Sequence, residues 1–219
     1  MRQTHGSVTV LVAHHVNSPD RLRAAVEDGA RWVEVDASAG ASGGLAAGHD
    51  SGGNGPELGS MLELVAQAGL RVTVDLKCPA GLVAGACEAI AAAGLEDRAL
   101  VCGHYERPWG EIRAALPGAL LGWSTPHPGR WEALLRRGAL QRQLAVVAPG
   151  MLDEKGLDVL LAHHLLVSER LTGVIHADGR AVHAWTVNRA GRARHLARLG
   201  VDAIVTDRPR GIAAGLRPT

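Results

Sequence analysis

Short apolar runs alternate with amphipathic stretches along the whole chain, and the two kinds keep different periods. The runs at 8–13, 31–36, 70–76, 99–103, 119–123, 144–148, 158–162, 181–187 and 202–206 are rich in Val, Leu, Ile and Ala. Their length and near-continuous hydrophobicity predict strands covered on both faces. Between them, 18–28, 57–68, 80–93, 107–115, 129–138, 168–177 and 189–199 carry helical spacing. Ser18-Pro19 supplies a cap residue followed by proline at the first helical position. Gly29, Gly69, Gly94 and Gly200 fall where helices should stop. Leu45 to Gly48 reads as a further short extension.

Repeated β–α units imply a parallel sheet. This number of them predicts an α/β fold of the (β/α)8 TIM-barrel kind, compact, without a large insertion, and forming a single domain over 1–219. Nine strand candidates for eight places mean that one is an extra strand or is misassigned. A doubly wound open sheet is the competing arrangement, but its glycine fingerprint is missing. Gly52-Gly53-Asn54-Gly55 does not match it and follows His49-Asp50, which marks it as a loop beside a site.

The polar residues that end the first strands change the picture. Val8 to Ala13 runs into His14-His15-Val16-Asn17, the second run ends in Glu34-Val35-Asp36, and the third in Asp75-Leu76-Lys77. Side chains alternate along a strand, so Glu34 and Asp36 share a face, as do Asp75 and Lys77. In a barrel, functional groups stand at the C-terminal strand ends. Three carboxylates this close repel one another unless a cation lies between them. Oxygen-only ligation suits one divalent cation, Mg2+ or Ca2+. The plainer alternative is salt bridging to Lys77 and nearby arginines. His14 and His49 are a candidate acid–base pair, because imidazole titrates near neutrality. Asp50 reads either as a group that orients His49 by accepting a ring N–H or as a loop cap, and Lys77 is placed to meet a phosphate oxygen as a point charge.

Other histidines carry less. His163-His164 and His176 read as structural or surface groups, His104 closes the fourth strand, and His183 is expected to alternate outward. Trp185, Asn188 and Asp207 lie near the ends of late strands, and Trp185 could wall the site.

Composition narrows the class. The chain has 219 residues, 47% of them hydrophobic, with no Phe, one Tyr and five Trp, so its core is built from Ala, Val and Leu. Residues 1–109 hold 8 Lys/Arg against 13 Asp/Glu, and residues 110–219 hold 15 against 9. Arg189, Arg192, Arg194 and Arg198 within the second half read as the solvated face of an outer helix. The overall charge of +1 gives no push toward nucleic acid, although a nucleic-acid end is not sterically barred from an insertion-poor site. Cys78, Cys87 and Cys102 show no metal or redox spacing and fit a reducing compartment. The first apolar run is too short and too weakly flanked for a signal peptide, and no stretch is long enough to span a membrane. A soluble, cytoplasmic protein is the expectation.

Val12-Ala13-His14, Glu34-x-Asp36, Gly48-His49-Asp50, Asp75-x-Lys77, Ala184-Trp185-Thr186-Val187-Asn188 and the stretch Leu199 to Asp207 occur in the order found in the phospholipase-C-like phosphodiesterases. The chain resembles that superfamily, which includes the glycerophosphodiester phosphodiesterases, at both ends; roughly 80–180 matches only in rhythm. It departs from the glycerophosphodiesterase pattern in having His15-Val16-Asn17 where Arg and Gly usually follow the first His. It also runs from Ser51-Pro56 straight into a helix where a small subdomain is usual. Ala13-His14-His15-Val16-Asn17-Ser18 looks more like the menorin family and the sphingomyelinase D type of phospholipase D.

The resemblance implies a metal-dependent phosphodiesterase acting on a glycerophosphodiester, a lysophospholipid headgroup or a nucleotide-type diester. It places the metal on Glu34, Asp36 and Asp75, acid–base catalysis on His14 and His49, and phosphate or substrate contacts on Lys77, Asn17, His15 and Trp185. A neighbouring substrate hydroxyl often serves as nucleophile in this superfamily, giving a cyclic phosphate. One alternative is a non-catalytic, menorin-like protein that binds a phosphorylated ligand or a protein partner. Another is a metal-dependent sugar isomerase, which would need ligands from later strands, and those end in Ser124, Pro149 and Trp185.

Overall fold

The computed structural model describes residues 9–216. In chain order the elements are β1 (Val10–Ala13), α1 (Pro19–Glu27), β2 (Trp32–Ala39), β3 (Leu45–Ala47), α2 (Leu58–Gln67), β4 (Arg71–Leu76), α3 (Val83–Ala92), β5 (Ala99–Gly103) and α4 (Trp109–Ala115). They continue with β6 (Leu120–Ser124), α5 (Arg130–Lys155), β7 (Val159–His163), α6 (Glu169–Ala177), β8 (Ala181–Trp185), α7 (Ala190–Arg198), β9 (Ala203–Thr206) and α8 (Pro209–Leu216). Position 8 of the first expected strand lies outside the described residues.

Eight parallel strands close on themselves. Their order is β1-β9-β8-β7-β6-β5-β4-β2, and β1 also pairs with β2 through Ala13 and Val33. The short β3 is the expected extension at 45–48. It pairs antiparallel to the far end of β2, outside the closed ring. Ser18 caps α1 by accepting from the Arg21 backbone N–H, and Pro19 opens the helix. Gly29, Gly69, Gly94 and Gly200 all take the positive φ of helix stops.

Two hydrophobic layers result from the strand alternation. Val12, Trp32, Leu100, Cys102, Val159, Leu161, Ala203 and Val205 fill the barrel, while the larger cluster packs the helices on its outside. Gly122 on β6 is required by this filling, since a Cβ there would come within 2.5 Å of the Leu161 side chain.

The ninth strand candidate, 144–148, is helix. Together with the expected helix 129–138 it forms the single long α5, and Pro149 lies inside that helix rather than at a strand end. The physical reason is in the spacing. Leu144, Ala145, Ala148 and Leu152 are buried and fall on one helical face, whereas Val146 is 65% and Val147 40% exposed. A strand would have put residues 144, 146 and 148 on one side. The final helix α8 had no counterpart in the sequence-based expectation.

His183 is also placed differently from the expectation. It points into the barrel, in phase with Trp185, and lies edge-on to Trp32 with ring centroids 5.4 Å apart. Arg71 covers the same indole at 4.5 Å. The Nδ1 of His183 and the indole N–H of Trp32 are both buried without a hydrogen-bond partner among the described residues. Burial, against the pull of Asp202 and aided by Arg71, lowers the His183 pKa to about 4.

Two tests follow from this packing. Leu152→Ala should cost about 2–5 kcal/mol in urea unfolding, while Val146→Glu should be nearly neutral; a strand at 144–148 would predict a severe cost for the latter. His183 stays neutral in the folded protein at pH values where its unfolded counterpart gains a proton, so its contribution to stability is lost as pH falls from about 6.5 to about 4. The loss is on the order of 3 kcal/mol, and His183→Phe should flatten that part of the stability–pH profile.

Candidate active site

The parallel register brings the polar strand ends together at one rim. Asp36 on β2 stands beside Asp75 on β4, and Glu34 lies one layer deeper beside Thr73. Closure through Ala13 and Val33 then sets His14 beside Glu34. Glu34 and Asp36 are buried, at 4% and 1% exposure. One oxygen from each of Glu34, Asp36 and Asp75 falls within a mutual 4.8 Å.

Burial, reinforced by Asp36 and Asp75, raises the Glu34 pKa well above the carboxylate range, although the His15 N–H donates to its Oε2 at 2.7 Å. Asp36 Oδ1 is buried with no hydrogen-bond partner among the described residues. An orphaned carboxylate oxygen facing two more carboxylates has the hard, oxygen-only chemistry of a divalent-cation site, so the donor set fits Mg2+ or Ca2+.

Other residues hold these groups in place. Asn17 donates from Nδ2 to Asp36 Oδ2 at 2.8 Å and accepts the Asp36 N–H at 2.9 Å, so Asp36 engages both ends of the amide. Lys77 Nζ lies 2.5 Å from Asp75 Oδ2 and 4.0 Å from Asp36 Oδ1. Burial works to lower the Lys77 pKa, but attraction and hydrogen bonding to Asp75 prevail and raise it, so the ammonium is retained. The Arg107 guanidinium donates to the carbonyls of Leu76 and Cys78 and thereby pins the backbone on either side of Lys77.

His14 has the most developed support. Its Nδ1 lies 2.7 Å from Asp207 Oδ1, and the other Asp207 oxygen accepts from Asn188 Nδ2 at 2.6 Å. Asn188 Oδ1 in turn accepts from the Thr206 hydroxyl and the Asp207 N–H. With Nδ1–H given to Asp207, Nε2 carries the lone pair and lies 4.0 Å from Glu34 Oε2. Sequence reasoning placed Asn188 and Asp207 near strand ends without giving them a task. The signal was barrel closure, which sets Ala13 beside Thr206.

His49 sits on the loop after β3 and is exposed. Its Nδ1 lies 3.0 Å from Asp50 Oδ1, and the buried Ser38 hydroxyl donates to the Asp50 carbonyl. His15 stands between the two candidates. It stacks on His14 with centroids 3.6 Å apart, meets His49 edge-on at 5.5 Å, and adopts a left-handed φ of 54°. Burial and the neighbouring His14 lower its pKa despite Asp36 and Asp207. Trp185 ends β8, its indole N–H donating to the Leu161 carbonyl at 3.0 Å.

The other histidines separate. His104 is exposed beyond β5, and His176 bonds Asp202 at 2.9 Å. His163 and His164, expected to be structural or surface groups, end β7 close to Trp185.

A carboxylate cluster, a carboxylate-held histidine and a lysine thus meet at the C-terminal mouth of a parallel barrel. Residues 139–210 match the Glycerophosphoryl diester phosphodiesterase family. The chain is 37% identical over 70 residues to the Arabidopsis thaliana protein named Glycerophosphodiester phosphodiesterase GDPD4; the match covers 31% of this chain and 21% of that relative. Among solved structures, a glycerophosphodiester phosphodiesterase from Parabacteroides distasonis shares the fold with a TM-score of 0.74 at 18% identity, covering 95% of this chain and 96% of that one. A phosphodiesterase from Oleispira antarctica, solved with the product sn-glycerol-3-phosphate, gives 0.72 at 19% identity, with 95% and 97% covered. The chain is thus similar to glycerophosphodiester phosphodiesterases in sequence over its C-terminal third and in fold over nearly its whole length. The matched segment also takes in the second half of α5 and all of β7 and α6, where the sequence showed only a β–α rhythm. Likeness of the first third to menorin and to the sphingomyelinase D type rests on its motifs alone.

The raised Glu34 pKa has a measurable consequence. Glu34 favours the metal-free folded state below the unfolded carboxylate pKa, and this contribution is lost as pH rises through the elevated folded value. A cation should reverse that loss. Mg2+ or Ca2+ should therefore raise the melting temperature more at pH 8 than at pH 5, and Asp36→Asn should abolish the increment. Equal melting curves with cation and with chelator would rule out the cradle.

Proposed function

We propose that the chain is a divalent-cation-dependent phosphodiesterase acting on a glycerophosphodiester or a closely related small phosphodiester. The observation that carries it is His14, its Nδ1 on Asp207 and its Nε2 4.0 Å from Glu34 of the Glu34–Asp36–Asp75 cluster. The names of the relatives supply the substrate class, and the Oleispira protein's bound sn-glycerol-3-phosphate supplies the product type.

A bound cation would supply charge stabilisation to a phosphoryl oxygen. Lys77, held as an ammonium, would meet another phosphate oxygen. His14 Nε2 would take the proton of the attacking hydroxyl, and Asp207 would stabilise the imidazolium that forms. His49, entering this step as the imidazolium with its Nδ1–H on Asp50, would give its Nε2 proton to the leaving alkoxide, while His14 holds the proton taken from the nucleophile. If the attacking hydroxyl belongs to the substrate, a cyclic phosphate results, and the two histidines exchange roles as water opens it. In this scheme Asn17 positions Asp36 rather than binding phosphate directly. His15, holding its proton weakly, is a poorer anion contact than the arginine usual at that place.

His14→Ala should lower kcat by about 10²–10⁴ with the fold retained. His49→Ala should act similarly, with partial rescue by substrates whose leaving group needs no proton, such as a p-nitrophenyl ester. Turnover followed by phosphorus NMR distinguishes a cyclic product from a monoester. Wild-type rates in both variants would sink the assignment. Absence of turnover on any glycerophosphodiester in the presence of Mg2+ or Ca2+ would favour a binding protein.

A further inference from the structure

A second polar cluster lies at the same rim, outside the machinery described above. His163 at the end of β7 is 5% exposed; its ring centroid lies 4.4 Å from His127, 4.6 Å from His164 and 5.2 Å from Trp185. Arg192, near the start of α7, donates from Nε to His164 Nδ1 at 3.3 Å and from a terminal nitrogen to the His164 carbonyl. The Leu165 N–H donates to His163 Nδ1 at 3.4 Å. In both imidazoles Nδ1 is therefore the acceptor, and Nε2 bears the proton.

The result is a group of donors without an acceptor. The charged groups that act on His163 are His164, His127 and Arg192, and those on His164 are Arg192, Arg137 and His127. Among the described residues no carboxylate is in either set. Burial first, and then the neighbouring imidazoles and arginines, lower both pKa values to about 4, so both rings are neutral. A buried structural arginine or histidine is normally paired with an acid, as Arg113 is with Asp158 and His176 with Asp202. Here the acid is missing, and the exposed His127 leaves the cluster open to solvent.

Position supplies the rest. In the closed ring β7 stands opposite β2, and β8 opposite β4. A molecule held by its phosphodiester over Glu34, Asp36 and Asp75 would extend across the mouth, past Trp185, toward this wall. We propose that His127, His163, His164 and Arg192 form an oxyanion subsite that binds a second negatively charged group, carboxylate or phosphate, on the alcohol portion of the substrate. The subsite's place as a substrate subsite rests on the phosphodiesterase reading of the neighbouring centre; its capacity to bind an anion does not.

Glycerophosphoserine and glycerophosphoethanolamine differ by one carboxylate and form the matched pair for the test. The intact protein should favour the former about tenfold in kcat/KM, mainly through KM, which corresponds to about 1.4 kcal/mol. Arg192→Gln should collapse the ratio toward one. His127→Gln, at an exposed position, should reduce it without the folding risk of the arginine change. Independently, inorganic phosphate titrated into the chelator-treated His14→Ala protein should shift the Nε2 signals of His163 and His164 in nitrogen–proton NMR, and should fail to do so in Arg192→Gln. Phosphate-induced shifts with no diester turned over would support the anion site and overturn the phosphodiesterase reading. Turnover with a ratio near one and unshifted His163 and His164 signals would overturn the subsite and leave the phosphodiesterase standing.

Discussion

Closure of the barrel is the constraint on which the rest depends. β1 is a four-residue strand whose register with β9 sets Ala13 beside Thr206, while its single pairing with β2 sets Ala13 beside Val33. The next residue along β1, His14, is thereby delivered between Asp207 and Glu34, residues far from it in the chain. An open sheet with the same strands would keep the carboxylates of the β2–β4 seam together but could not set His14 beside both Asp207 and Glu34. The apolar filling of the barrel, including the glycine at position 122, keeps this register in force.

The parallel register of β2 and β4 concentrates charge of one sign. Three carboxylates meet at the β2–β4 seam, two of them buried, with Lys77 the cation bonded to the group. One lysine cannot neutralise three acids: burial, with Asp36 and Asp75 adding to it, raises the Glu34 pKa, and an Asp36 oxygen has no hydrogen-bond partner among the described residues. Across the mouth Arg192 lies against His164, and among the described residues no carboxylate pairs with it. The arginines of α7 are thus not a uniform solvated face: Arg192 turns inward to His164, while Arg194 reaches the carbonyl of Gly215.

How much of this was legible depended on the range of the determining contact. Glu34-x-Asp36 and Asp75-x-Lys77 were readable because strand alternation is a local rule. The barrel was readable because its β–α units repeat. The pairing of His14 with Asp207 was not, since it exists only once the ring has closed. The segment 144–148 misled because Leu, Val and Ala suit either element. Its meaning is decided by residues beyond it, Leu152 above all, which continue the helical face. His183 was misjudged because its polarity argued for the outside, whereas its phase with Trp185 places it inside. The bracket that Asn17 forms on Asp36 likewise depends on the left-handed turn at His15, which no spacing rule announces.

His49 differs from every other polar group of the centre in how it is carried. His14, Glu34, Asp36 and Asp75 stand on or directly after strands of the closed ring. His49 hangs from β3, a three-residue strand hydrogen-bonded to the outlying end of β2 and outside that ring. The centre is therefore divided mechanically between a rigid chassis and an appended arm. Changes in the length or sequence of that arm would re-aim His49, the proposed proton donor, while leaving the carboxylate cluster untouched: one histidine can be moved by editing a hairpin, with no need to rebuild a barrel.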